Sequence, residues 1–374
     1  MSLQGVRTIA ILELRQRLRT SRWPIVIGIW FLLIGIVAGL TWWAVSNQPG
    51  DRGTTLYDVV LFFVLGLGML VVPSLTATSI NGDREHGVLA TLQTTLLTSG
   101  DIVVGKLVAA WAISLAFLLA ASPFLVWAWI AGGVEVGRML LAVAVLVFVL
   151  AVVCALGLMF SALTARTISS AVLTYLTVAA LTVGTVIAFL LSIPIMSTDV
   201  TVPVRTVPED WFQQNQGAAA DGQPMAEPTA ADCVVVNRVQ TIYHTERTWW
   251  LLALNPFVVV ADAAPSRKQV VYLGFEPLQM ISDGARTARM GVTPGTQNEC
   301  WPELQQTQLQ PGSNGAIGPG GPQQQVERER LNKVHAVWPY GFAFLGVIGA
   351  ASIWVSLRRL RTPIHKLPRG TRIA

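Results

Sequence analysis

The segment Gly100-Asp-Ile-Val-Val-Gly105-Lys106-Leu107 comes nearest to a nucleotide-binding motif. In a P-loop the backbone cradles the phosphates, the lysine contacts them, and a Ser or Thr after the lysine binds Mg²⁺. Leu107 offers no hydroxyl, and the segment leads directly into an apolar run without a βαβ pattern around it. We therefore predict that this chain does not bind or hydrolyse ATP.

Side chains for other chemistry are sparse in the apolar parts of the chain. These parts offer serines, threonines and Tyr175, but we identify no paired Asp, Glu or His, which an acid–base or metal-assisted reaction would need. We also interpret the apolar runs as free of carboxylates, which ion-driven pumps usually keep within their spans. The sequence therefore predicts no catalytic residue, no metal site and no cofactor in this chain, and it suggests that a partner supplies the energy for any transport.

The composition is that of a membrane protein. Apolar residues make up 52% of the chain and charged residues 13%, with a mean hydropathy of +0.54, whereas soluble domains carry about 25% charged residues. About 20 apolar residues span a bilayer, and the first run is too long for a signal peptide. We predict an α-helical polytopic membrane protein with six transmembrane helices, at Trp23–Val45, Tyr57–Ile80, Leu107–Ala131, Met139–Ala165, Ile168–Met196 and Ala336–Leu357.

Basic residues fall mainly on one side of the predicted bundle. The side that holds both termini carries Arg7, Arg15, Arg17, Arg19, Arg22, Arg84, Lys106, Arg166, Arg358, Arg359, Arg361, Lys366, Arg369 and Arg372. The short loops of the opposite side hold only Arg52 and Arg138. This positive-inside pattern predicts a multi-pass protein of the cell's inner or plasma membrane with both termini in the cytoplasm. Membrane orientation thus accounts for the net charge of +5 without a nucleic-acid partner.

Both ends of the chain are predicted to lie on the cytoplasmic side. Residues 1–22 are predicted to form an interfacial helix, because the stripe of Leu3, Ala10, Leu14 and Leu18 suits the headgroup layer. A plain cytoplasmic extension of the first span is the alternative. Residues 358–374 are predicted to form a basic cytoplasmic tail.

A long polar segment, Ser197–His335, joins the fifth and sixth spans and is predicted to be an extracytoplasmic domain. Within it, Thr248–Ala263 is apolar but short and interrupted by a proline, so we expect it to dock at the outer membrane interface. Residues 297–325 are rich in Gln, Gly and Pro and are predicted to be flexible. Cys233 and Cys300 share this segment, and an oxidising compartment favours a disulfide between them, with two separate free thiols as the alternative.

The hairpin Asn81–Lys106, between the second and third spans, is the most informative segment of the chain. A short amphipathic helix is predicted, because apolar residues recur at helical spacing at Val88, Leu89, Leu92, Leu96 and Leu97. We expect Ser99-Gly100 to break the chain and Lys106 to mark its return to the membrane. The apolar face of such a helix needs a surface that buries it, either the membrane or a soluble partner.

This hairpin resembles the first cytoplasmic loop of ABC-2 type transporter permeases. The residues that carry the resemblance are Glu85-His-Gly87-Val-Leu89-Ala-Thr-Leu92, Leu96-Leu97-Thr98, Asp101-Ile102 and Gly105-Lys106. The predicted topology is also similar to that family, and Asn255-Pro256-Phe257 resembles a segment before the last span of some members. Val88, Ala90 and Ser99-Gly100 depart from the family pattern.

The resemblance implies the membrane subunit of an ABC exporter whose hairpin forms a coupling helix. The residues implied to couple to the ATPase are Glu85, Gly87, Leu89, Leu92, Leu96 and Leu97. The implied partners are a cytoplasmic ABC ATPase dimer, which binds ATP and Mg, and a second permease subunit of the same or a related chain, surrounded by membrane lipid.

The resemblance also implies that the second and fifth spans line the export path and help to form the dimer interface. Hydroxyl side chains on those spans are candidates for the path: Ser74, Thr78, Ser170, Thr174 and Thr177. Such residues also serve ordinary helix packing in membranes, and both interpretations stay open. The absence of charge favours an amphipathic, lipid-like or drug-like cargo. The alternative function is a non-transporting sensor or anchor whose extracytoplasmic domain is the functional part, and an ion channel is disfavoured because the spans lack a charged ring.

Overall fold

The computed structural model describes residues 2–19, 23–47, 52–85, 98–212, 228–264, 276–291, 297–300 and 333–360. Within these ranges, six helices are long and apolar enough to cross a membrane. This confirms the prediction of a mostly helical protein with six helices of membrane-spanning length and hydropathy.

The helices follow the apolar runs of the sequence. In chain order they are α1 (Leu3–Leu18), α2 (Trp23–Val45), α3 (Arg52–Thr76), α4 (Ser79–Glu85), α5 (Ser99–Ile130), α6 (Val136–Leu163), α7 (Thr167–Ala179), α8 (Thr185–Ile195), α9 (Trp250–Ala253), α10 (Pro256–Ala263), α11 (Pro277–Met290) and α12 (Trp338–Leu360). A π-helical turn, Ala180–Gly184, joins α7 to α8. The six candidate spans are therefore α2, α3 with α4, α5, α6, α7 with α8, and α12.

Helix α5 begins eight residues before the predicted third span. Its 32 residues extend about 48 Å at 1.5 Å per residue, which exceeds the roughly 30 Å of a hydrocarbon core. Thr98 caps the helix: its hydroxyl accepts from the Asp101 N–H, and the Asp101 carboxylate accepts from the Thr98 N–H. Ser99-Gly100 therefore starts a helix rather than breaking the chain, because this capping box satisfies the first N–H groups.

Burial divides the spans into two groups. In α3, α5 and α6, 56% of the most apolar window is buried, whereas the fraction is 28% in α12 and 17% in α2 and in α7–α8. Helices α3, α5 and α6 therefore build the core, with fully buried residues such as Leu61, Ile113 and Leu146. The apolar faces of α2 and α7–α8 remain open, and in a membrane they need lipid or another chain to cover them.

Helix α1 closes the end of the bundle at which α4 ends and α5 begins, called here the hairpin end. It packs closely on α5, because a Cβ at Gly105 would lie only 2.8 Å from the Cβ of Ile9. Of the predicted interfacial stripe, Ala10 is buried against the bundle, while Leu3 and Leu18 are exposed. The stripe therefore does not share one environment, since the close contact at Gly105 decides which face of α1 meets the bundle.

The opposite end, called here the strand end, carries a three-stranded sheet of order β2-β1-β3. Its strands are β1 (Ser197–Thr206), β2 (Val234–Tyr243) and β3 (Gln297–Asn298). β1 and β2 pair antiparallel over their full length, and β3 pairs parallel with β1. Cys233 precedes β2 and Cys300 follows β3, and a disulfide joins them with a Cα–Cα distance of 5.9 Å. Most of the segment predicted to be flexible, 297–325, lies outside the described residues.

Helices α9 and α10 lie within the strand end of the bundle. The sequence analysis had instead predicted that this run, Thr248–Ala263, docks at the outer membrane interface. Val259 and Val260 of α10 are fully buried. Helix α12 comes close because Gly341 has no side chain: a Cβ there would lie 2.2 Å from the Ala253 carbonyl oxygen. The run is too short to span, so it turns into the bundle and buries its apolar residues against other spans instead of lipid.

Candidate functional site: a groove between the second and fifth spans

An open groove of about 560 Å³ lies between α3 and the α7–α8 span. Its described lining is Phe62, Phe63, Gly66, Leu67, Met69, Leu70, Tyr175, Val178, Ala179, Thr182, Val183 and Phe257. None of these residues is charged. The groove therefore offers an apolar and aromatic surface that suits an apolar or amphipathic molecule.

The two hydroxyl groups among the described lining residues are already engaged by the backbone. The Tyr175 hydroxyl donates to the Leu70 carbonyl across the groove at 2.9 Å. The Thr182 hydroxyl donates to the Val178 carbonyl at 2.9 Å. Tyr175 therefore ties α7 to α3 at one side of the groove, and the groove presents little polar surface to a molecule within it.

Asn255 connects the strand end of the groove to the fifth span. Its side-chain oxygen accepts from the Phe257 N–H at 2.8 Å, which caps α10. Its Nδ2 donates to the Thr182 carbonyl at 2.6 Å and to the Thr185 hydroxyl at 3.1 Å. Thr182 lies in the π-turn, where the regular helical hydrogen-bond pattern changes. One buried amide thus fixes both the start of α10 and the irregular turn of the fifth span.

Phe257 forms the wall of the groove next to this connection. Its ring centroid lies 5.4 Å from that of Phe62, and a Cβ at Gly66 would be in ordinary contact with the ring at 3.7 Å. The Asn255-Pro256 turn directs this ring between the second and fifth spans, because Pro256 fixes the first residue of α10. The Asn-Pro-Phe segment noted in the sequence is therefore a structural part of the groove.

The five hydroxyl residues predicted to line the path do not line this groove. Ser74 and Thr78 are exposed near the hairpin end. Ser170 and Thr174 are fully buried, and Thr174 donates to the Ser170 carbonyl of its own helix. Thr177 is half-buried and is likewise bonded to its own helix. The helical spacing of Ser170, Thr174 and Thr177 identifies one face of the fifth span. The face of that span that lines the groove is the neighbouring apolar one.

The interpretation of the spans as free of carboxylates is wrong at Asp58, which lies within the predicted second span. Asp58 is buried and accepts hydrogen bonds from the Leu278 and Gln279 N–H groups at 2.9 and 3.0 Å. These are the first N–H groups of α11, which attract a negative charge. The contact fixes α11 over the part of α3 at the strand end, so this carboxylate has a structural role there.

Asp262 is a second buried carboxylate that the sequence analysis did not single out. One oxygen accepts from the Arg286 Nε at 2.6 Å, and the other accepts from the Val337 and Trp338 N–H groups at 2.6 and 2.9 Å. It therefore joins α10, α11 and the start of α12. The sequence signal was a lone carboxylate within an apolar run, which is costly unless it is paired.

The predicted coupling residues fall almost entirely outside the described part of the chain. Glu85 is the last residue of α4, and Gly87, Leu89, Leu92, Leu96 and Leu97 lie in the range 86–97, which the structure does not describe. The two flanks of that range are described, and α4 and α5 bring them together at the hairpin end. Among the described residues, no group of His, Cys, Asp and Glu could hold a metal ion.

Comparison with known proteins gives no assignment for this arrangement: the sequence matches no protein-family model and no curated protein.

Proposed function

We propose that this chain is the membrane subunit of an ABC exporter of the ABC-2 type. The observation that carries the proposal is the uncharged groove between the second and fifth spans, in a bundle whose second and third spans are joined by the motif-bearing hairpin. A separate ABC ATPase dimer supplies ATP hydrolysis, and a second permease chain covers the open side of the groove. The cargo is an apolar or amphipathic molecule, because the groove offers it no charge.

Movement of the hairpin reaches the groove through α3. This helix forms one wall of the groove and leads through α4 into the hairpin. A push on residues 86–97 by the ATPase shifts the hairpin end of α3 against the α7–α8 span. The groove then opens alternately toward the two sides of the membrane, while both termini stay in the cytoplasm.

Co-purification from native membranes tests this proposal. The tagged chain should carry an ABC ATPase with it, and Leu92→Asp should abolish that association while the protein remains in the membrane. Thr94→Asp is the matched control, because position 94 lies about 200° around the predicted coupling helix from Leu92 and therefore adds the same charge off its apolar face. Equal ATPase recovery with both variants, or no ATPase with the unmodified chain, contradicts the proposal.

The second candidate function is a membrane sensor or anchor that acts through the strand end. It is favoured by β2, which is an edge strand of the sheet among the described residues and has exposed Val234, Val235 and Val239, because an apolar sheet edge is a surface on which another chain can pair. Under this alternative, substitution of these valines by lysine removes the biological activity. Under the exporter proposal, the same variants retain ATPase binding and transport.

A further inference from the structure

A buried cation links three elements at the hairpin end. Lys106 of α5 is 2% exposed, and its ammonium group contacts the Glu13 carboxylate of α1. The same group lies 2.6 Å from the Asp83 carboxylate and 3.2 Å from the Ser79 carbonyl, both on α4. The three N–H donors of the ammonium group are thus divided between α1 and α4. We call the cluster of Glu13, Asp83 and Lys106 the Lys106 clamp.

The charges of the clamp are balanced locally by a second cation. Arg17 Nε lies 3.8 Å from Glu13, and its Nη2 donates to the Leu75 carbonyl near the end of α3 at 2.8 Å. Two carboxylates therefore face two cations. A buried ion pair is no more stabilising than a well-packed apolar pair, but removal of one member is strongly destabilising, so such a cluster holds its elements in one particular arrangement.

The neighbours of the clamp fit the same arrangement. Gly105, directly before Lys106, allows α1 to approach α5. At the start of α1, the Ser2 N–H donates to the buried Asp101 of α5 at 2.8 Å. Helix α1 is therefore fixed to α5 by its first turn through Asp101 and by its third turn through Lys106.

We infer that Lys106 is a positioning residue that makes α1, α4 and the start of the third span move as one unit. This inference rests on the proposed function, in which the ATPase acts on residues 86–97. Asp83 lies three residues before that segment and Lys106 lies about two turns into α5 after it, so their contact closes the base of the hairpin. A displacement of the hairpin then reaches α1 and span three together, and α1 becomes a working part of the coupling region instead of a passive membrane anchor.

The first test measures the clamp without any ATPase. Ala10→Cys places a thiol on the buried face of α1, where maleimide labelling reports its separation from α5. The native cysteines leave a low background, because Cys154 is buried and the other two form the disulfide. Lys106→Met in this background should raise the labelling rate at least about tenfold, since it leaves two carboxylates without their shared cation. Lys106→Arg should stay near the parent rate.

The control variant for this labelling is Lys333→Met, which removes an exposed lysine at the strand end and should leave the rate unchanged. An unchanged rate in Lys106→Met overturns the inference, whether or not an ATPase partner exists.

The second test separates transmission from folding. The triple variant Glu13→Gln, Asp83→Asn, Lys106→Met removes all three charges together, so no buried carboxylate is left unpaired. With the co-purified ATPase, it should bind the ATPase and support ATP hydrolysis while the transport-linked stimulation of hydrolysis falls at least about threefold. Stimulation equal to that of the unmodified chain overturns the inference. If no ATPase binds the unmodified chain, the proposed function fails, and the labelling rates alone decide the clamp.

Discussion

Replacement of Asn255 is the most informative single perturbation of the groove, because its amide caps α10 and also bonds the π-turn of the fifth span. Asn255→Ala removes the cap, at a cost of about 1 kcal/mol. It also leaves the Thr182 carbonyl without its side-chain donor, at a cost of about 1–3 kcal/mol for a buried group. The Thr185 hydroxyl keeps its bond to the Leu181 carbonyl. The expected loss is therefore roughly 2–4 kcal/mol.

Asn255→Ser separates the two contributions, since a serine keeps a capping oxygen but lacks the donor that reaches Thr182. The unfolding entropy of globular proteins, about 2.1 cal/mol/K per residue, sets an upper value near 0.8 kcal/mol/K for this chain, so a loss of about 3 kcal/mol lowers Tm by at least about 4 °C. Tryptophan fluorescence during heating of the purified protein measures Tm for all three forms. Asn255→Ser should fall between wild type and Asn255→Ala. A serine variant with the wild-type Tm would show that the contact from Asn255 to the fifth span contributes nothing, and this account of the π-turn would be refuted.

Three further outcomes follow from the groove and the strand end. Ala179→Trp should fill the groove and abolish transport. Leu176→Trp should retain transport, because Leu176 is exposed on the same helix outside the groove lining. Loss of transport in both variants would contradict a role specific to the groove. Peptides from non-reduced protein should contain Cys233 linked to Cys300, a bond of the kind that stabilises by about 2–4 kcal/mol, and two alkylated thiols would exclude it. Thr229 donates its hydroxyl and N–H to Asp232 and holds the pKa of that carboxyl below its ordinary value. The stability gained by this turn is present above the unfolded pKa of about 3.9 and is lost as the pH falls through the lowered folded pKa; an NMR titration that gives Asp232 an ordinary or raised pKa would contradict it.

The spanning helices were predictable because length and hydropathy are local properties of the sequence. Trp23–Val45 was predicted with the bounds that the structure gives to α2. The start of α5 was missed because Thr98–Lys106 is polar enough to resemble a loop. A signal was nevertheless present, since Thr98 followed by Asp101 is the spacing of a capping box.

The position of the short apolar run near Asn255 could not be read from the sequence. Its length excludes a span, but only tertiary contacts decide between the membrane surface and the interior of the bundle. Asp58 illustrates the same limit, because it is bonded to backbone groups 220 and 221 residues away. Contacts at that separation leave no periodic pattern.

The candidate path was predicted from hydroxyl groups at helical spacing, which is an ambiguous signal in membrane helices. Thr174 satisfies its hydroxyl within its own helix, so its polarity does not indicate a cavity. The open face of the fifth span is instead marked by Ala179 and Val183, which composition does not distinguish from residues that face lipid.

The central claim, that a separate ATPase drives this chain through the hairpin, is tested most directly by photo-cross-linking from position 92. A photoreactive amino acid in place of Leu92 is activated in living cells, and mass spectrometry identifies the cross-linked molecule. The account predicts a soluble ABC ATPase, with a clearly weaker adduct from the same probe at Thr94, which lies on the opposite face of the predicted helix. Adducts with lipid alone, or with a protein that binds no nucleotide, would contradict it.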